Sequence, residues 1–144
     1  MVINSIYAAI ATIGFGIIFN VKGKNLFLCA IGGGASWFIY LLSSKYTDSI
    51  ALSMFASSVF IGIYSEIMAR VRKAPVTIFV LCTIIPLVPG GGMYYTMYYS
   101  IKGDVYTSLS TGLNTIMSAG ALAVGILFVS SAVKLIKICA KNKD

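Results

Sequence analysis

The sequence contains no histidine and only four acidic residues among 144. The side chain that most often serves as general base or metal ligand is therefore missing. The cysteines, Cys29, Cys82 and Cys139, are odd in number and widely spaced. That pattern suits neither a disulfide framework nor a metal site. No nucleophile stands beside a base, so an enzyme is not expected, nor a cofactor, nor a metal. Charged residues of both signs make up only 10% of the chain. Soluble domains carry about 25%, so no hydrophilic domain is expected.

What the chain has instead is apolar sequence. Hydrophobic residues reach 58% and mean hydropathy is +0.92. Such a composition belongs in lipid, and the whole of 1–144 reads as one transmembrane domain. A helix needs roughly 20 apolar residues to cross the hydrocarbon core. Five stretches qualify, at about 3–20, 26–43, 50–69, 75–101 and 105–133, followed by a basic tail at 134–144. The expected fold is all-α, with about five transmembrane helices. The amino-terminal stretch lacks the basic start and small-residue end of a secretory signal, and reads as the first span.

The net charge of +7 would suggest nucleic acid in a soluble protein. Here the cations sit at the ends of apolar segments, so topology accounts for them and no nucleic acid is expected. Lys22 and Lys24 occupy the first loop, Arg70, Arg72 and Lys73 the third, and Lys134, Lys137, Lys141 and Lys143 the tail. The second and fourth loops pair Lys45 with Asp48 and Lys102 with Asp104. Basic and neutral loops alternate. The positive-inside rule then puts the amino terminus outside and the carboxyl terminus in the cytoplasm. Trp37 and Tyr40 read as interface anchors.

Three segments carry polar rows at helical spacing. They are Ser5, Ala9, Thr12, Gly16 and Asn20 in the first, and Ser58, Gly62, Glu66 and Arg70 in the third. The fifth has Thr107, Thr111, Asn114, Ser118, Ala121 and Gly125. Small residues allow close helix approach and hydroxyls bond across it, so such rows are either packing seams or the walls of a polar pathway. Asn114 needs a partner or water, and Thr111 and Ser118 flank it. Glu66 is the only acid within a span. An intramembrane carboxylate is a candidate proton carrier, but Arg70 stands four residues later in the favourable order for an ion pair.

The fourth segment contains PLVPGGGMYYTMYYS. Pro86 and Pro89 each remove a backbone donor, and Gly90, Gly91 and Gly92 permit conformations other residues avoid. The fourth helix is therefore expected to be interrupted at Pro86–Gly92. Irregular backbone in a membrane survives only inside protein or beside a water-filled cavity, and transporters use such breaks to bind substrates and ions. Pro86, Pro89, the three glycines, Tyr94, Tyr95 and Thr96 are thus candidate substrate or gating residues. The tyrosines, with Tyr98 and Tyr99, also fit an interfacial aromatic belt.

PLVPGGGMYYTMYYSIKGD resembles the signature of the threonine/serine exporter family, in its carboxyl-terminal half. The likeness extends to GFGIIFNVKGKNL and GIYSEIMARVRKAPVTIFV, roughly over residues 6–130. The resemblance implies proton-motive-force-driven export of threonine and serine across a bacterial cytoplasmic membrane. It also implies a larger membrane subunit as partner, since family members either fuse two halves or split them, and this length is similar to the small subunit. Some split pairs are associated with dicarboxylates such as succinate. A non-transporting assembly subunit and a homo-oligomeric channel are the other readings the residues allow.

Overall fold

The computed structural model describes residues 1–141; Lys143 of the basic tail lies outside them. The described residues form six α-helices: α1 (Val2–Ile18), α2 (Lys24–Tyr46), α3 (Ile50–Arg72), α4 (Val76–Ile84), α5 (Gly90–Ile101) and α6 (Val105–Lys141). A 3-10 turn, Ile85–Leu87, follows α4. Among the described residues there is no strand.

Three helices, α2, α3 and α6, are long and apolar enough to cross a membrane, and α1 is a shorter apolar helix. The segments Val76–Leu87 and Gly90–Ile101 form a fourth unit bent by 49°. The fold is thus that of a helical membrane protein, and its burial pattern agrees. Thr12, Ser36, Ser53, Ser57, Ser58, Ser65 and Thr83 are fully buried, while Ile18, Phe27, Val71 and Ile116 are largely exposed. Hydroxyls inside and hydrocarbon outside is the arrangement lipid demands.

The helix ends follow from local chemistry. Asn20 (φ 58°) takes the left-handed conformation just after α1, and Gly23 (φ 62°) turns the chain into α2. The Ser49 hydroxyl accepts from the Leu52 amide to cap α3. Lys73 (φ 50°) ends α3 in the left-handed conformation, with the Ala74 amide returning to the Ala69 carbonyl in the six-to-one bond of a Schellman turn. Pro75 then starts α4. Gly103 (φ 79°) turns the chain toward α6, and the Asp104 carboxylate accepts from the Thr107 amide at 3.1 Å.

The centre of the bundle is α2, α3 and α4, with α1 against α2 and α6 against α3. Glycines set the contacts. Gly33 and Gly34 of α2 lie against Thr12, Ser5 and Ala9 of α1, so a methyl at either would meet α1 side chain or backbone. Gly62 of α3 faces Val129, and Gly125 of α6 faces Ser58 and the Phe55 carbonyl. Most of the first and third polar rows is therefore used in helix packing.

The two α3–α6 pairs share one register, which places Ile50 level with Met117. Asp48–Ala51 indeed share a cleft with Asn114, Met117 and Ser118. The first dozen residues of α6 thus extend about 18 Å past the start of α3 at 1.5 Å per residue. α5 packs back against this overhang and buries none of its own residues. The fifth segment, expected at 105–133, continues as helix through Lys141. Its length of about 56 Å far exceeds a 30 Å hydrocarbon core.

Candidate functional site

The fourth segment is interrupted as the prolines require, and the irregular backbone is Ile85–Pro89. Pro86 cannot donate to the Cys82 carbonyl and Pro89 cannot donate to that of Ile85. The Ile85 carbonyl instead accepts from the Val88 amide at 3.2 Å, the tighter 3-10 pattern. Helix resumes at Gly90, with Pro89 as its cap and the Met93 amide on the Pro89 carbonyl. Gly90, Gly91 and Gly92 are helical, and none has a positive φ. They form the first turn of α5 rather than an unwound segment, at the entropic cost that glycine carries in any helix.

This break is packed inside the bundle. Leu87 is 1% exposed and clusters with Met54, Ile61 and Leu122. Met54 and Ile61 lie about 6 and 17 Å along α3 from its start, so the break sits nearer the Asp48 end than the Arg72 end. Within its own segment the break is central, between Val76–Leu87 and Gly90–Ile101. Beside Pro86 is a cavity of about 320 Å³ lined by Asn4, Tyr7, Ala8, Ala11 and Trp37. The Trp37 indole N–H is buried without a hydrogen-bond partner. Trp37 stacks near Tyr40 with ring centroids 5.3 Å apart, both packed on the core beneath Leu87. Both are half-buried against that core.

Below the break, hydroxyls tie three helices together. The Ser57 hydroxyl of α3 donates to the Ser36 carbonyl of α2. That of Ser36 donates to the Gly33 carbonyl at 2.8 Å and, more weakly, to the Thr83 carbonyl of α4 at 3.4 Å. Thr83 donates to Phe79 at 2.7 Å. Ser36, Ser57 and Thr83 belong to none of the three polar rows. The signal for Ser36 is the run IGGGASW, whose Gly32 abuts Tyr64 and Thr83.

The other sequence candidates fall into separate places. Gly92 lies against Thr115, and Gly112 against Thr96, so Gly92 and Thr96 hold α5 to α6. The Thr96 carbonyl also accepts from the Ser108 hydroxyl at 2.9 Å. Gly90 and Gly91 face open space, and Tyr94 and Tyr95 are exposed. The Thr111 carbonyl accepts from Thr115, and that of Asn114 from Ser118. Asn114 and Ser118 line the cleft at the start of α3 with Asp48 and Ser49.

Glu66 lies at the opposite end. One oxygen, Oε2, is 3.8 Å from Arg70 and 3.8 Å from Lys137 of α6. That oxygen is buried, and neither cation comes within hydrogen-bonding distance. Arg70 was anticipated from the sequence. Lys137 was not, since only the α3–α6 register brings the tail's lysine to the third helix. Glu66, Lys134 and Lys137 line a cleft of about 430 Å³ between α4 and α6. Cys29 and Cys82 are free thiols buried in one cluster with Phe79 and Ala69.

Residues 4–132 match the sequence model described as Threonine/Serine exporter, ThrE. The match covers most of the chain. The chain belongs to the threonine/serine exporter family. No solved structure matches it. As an exporter-family chain with apolar helices it is a multi-pass membrane protein.

Proposed function

We propose that the chain is the small membrane subunit of a secondary exporter that moves threonine and serine out of a bacterial cell. The observation that carries this reading is the interruption at Ile85–Pro89, enclosed by Leu87 packing and bordered by the cavity at Pro86, Asn4 and Trp37. Backbone freed by two prolines needs partners, and a polar solute entering the cavity would supply them. The work is shared with a larger membrane subunit of the same family. The cavity is open on one side, and α5 and the overhang of α6 bury little surface of their own.

Coupling to the proton motive force is assigned to Glu66, whose Oε2 lies in the low-dielectric cleft without a hydrogen bond. The Arg72 end of the bundle carries the basic loops and faces the cytoplasm in this reading, with the amino terminus outside. A scaffolding role is the second reading, favoured by the use of Ser5, Ala9, Thr12, Ser58 and Gly62 in helix contacts. The experiment is efflux of threonine, serine and succinate from proteoliposomes holding this chain, the larger subunit, or both. Export of threonine or serine only with both present supports the proposal. Export by the larger subunit alone would leave this chain a scaffold.

A further inference from the structure

The cleft between α4 and α6 has a charge pattern of its own. Both helices lie on α3, and the cleft between them is lined by Glu66, Lys134 and Lys137, with hydroxyls from Thr77 and Ser130. Its remaining walls, such as Val80 and Ile126, are apolar. Glu66 Oε2 has two cations at 3.8 Å but no donor within bonding distance. An ionised carboxylate accepts several hydrogen bonds, and a charge-assisted one would bring its donor to about 2.8 Å. Arg70 and Lys137 each keep 61% of their side chains exposed, Arg70 does not line the cleft, and Oε2 is itself buried, so a donor held in the cleft would complete its hydrogen bonding. Lys134, for its part, forms no ion pair among the described residues.

We propose that this cleft binds a zwitterion, its primary ammonium on Glu66 and its anionic group on Lys134 and Lys137. An anion alone would leave Oε2 without a donor, and a cation alone would add to a site already rich in lysine. A ligand carrying both charges a few bonds apart satisfies each. Two sources share that chemistry: a free α-amino acid, and the ethanolamine headgroup of a phospholipid whose chains lie along the apolar wall. The amino-acid source rests on the export reading and would place substrate entry here; the lipid source is independent of it.

The test is binding, measured without transport, on the purified protein in phosphatidylcholine nanodiscs. Its quaternary ammonium cannot donate a hydrogen bond. One arm titrates L-threonine by calorimetry. The other adds phosphatidylethanolamine and counts retained lipid by native mass spectrometry, with phosphatidylglycerol as the anion that lacks an amine. The proposal expects saturable binding in one arm, weakened roughly tenfold or more by Glu66→Gln, the scale of one lost hydrogen bond to a charged group. Lys134→Gln, which removes no ion pair, should weaken it as well. Lys45→Gln, at the far end of α2, should not. Retention in neither arm overturns the proposal, as does equal retention of phosphatidylglycerol or binding unchanged in both the Glu66 and Lys134 variants. Failure of export with this binding intact would count against the transport reading alone.

Discussion

Gly91 and Gly92 are neighbours in sequence and opposites in surroundings, which makes alanine at each a sharp test of the α5–α6 contact. A methyl on Gly91 meets nothing within 4 Å. With a helical backbone there, Gly91→Ala should be neutral or stabilising by up to about 1 kcal/mol. A methyl on Gly92 runs into Thr115, whose Cγ2 and Cβ would be 3.2 and 3.3 Å away and whose hydroxyl would be closer still. Thr115 cannot swing aside freely, because its hydroxyl donates to the Thr111 carbonyl at 2.7 Å. Overpacking of this kind costs about 1–3 kcal/mol. The two substitutions should therefore differ by about 2 kcal/mol, a factor of roughly 30 in the folded ratio. Thermal unfolding of both variants in bicelles reads this directly, and Gly92→Ala with Thr115→Ala should recover most of the loss through coupling of the two sites. Equal stability of the single variants, or no recovery in the double variant, would refute the packing assigned to α5 and α6.

Three further outcomes are expected. Glu66→Gln should leave protein amounts normal and abolish proton-driven export, whereas Lys137→Gln, at an ion pair with 61% of the lysine exposed, should change stability by less than about 1 kcal/mol; full export in the glutamine variant would remove Glu66 from the coupling. In native protein a membrane-impermeant maleimide should label Cys139, which is exposed, and spare Cys29 and Cys82, which are buried; in intact cells Cys139 should be reached only after the inner face is opened, and external labelling would invert the topology. Asp104 is held below its ordinary value of 3.8 by its hydrogen bonds to Thr107, so its capping is fully present above that value and lost as pH falls through the lowered one. Asp104→Ala should lower the melting temperature at pH 7 and make no difference in strong acid; a gap that persists there would mean the cap is not electrostatic.

The helices were legible because apolar length and basic loops report directly on what lipid tolerates. The two prolines gave the break for the same reason: the donors they lack are missing in any fold. The glycines after them misled, since three in a row permit unwinding without requiring it, and here they form the first turn of α5 behind Pro89. The rows on α1 and α3 were visible as spacing, but their partners Gly33, Gly34 and Gly125 could be named only once the helices were docked. Lys137 was hidden in the same way. It reads as a tail charge until the α3–α6 register sets it 3.8 Å from Glu66. The ties among Ser36, Ser57 and Thr83 join residues far apart in the chain, and hydroxyls at helical positions look alike whether they bond their own turn or a neighbour.

The claim that the interruption is a working element is tested most directly by repairing it. Replacing Pro86 and Pro89 together with alanine returns two backbone donors and removes two helix-breaking residues, each about 3 kcal/mol less favourable than alanine in a helix interior. The measurement is threonine efflux from proteoliposomes containing the repaired chain and the proposed larger subunit, with assembled complex quantified on the same preparation. The repaired complex should be at least as abundant as the parent and no longer export. Export at the parental rate from a fully assembled, repaired complex would contradict the claim.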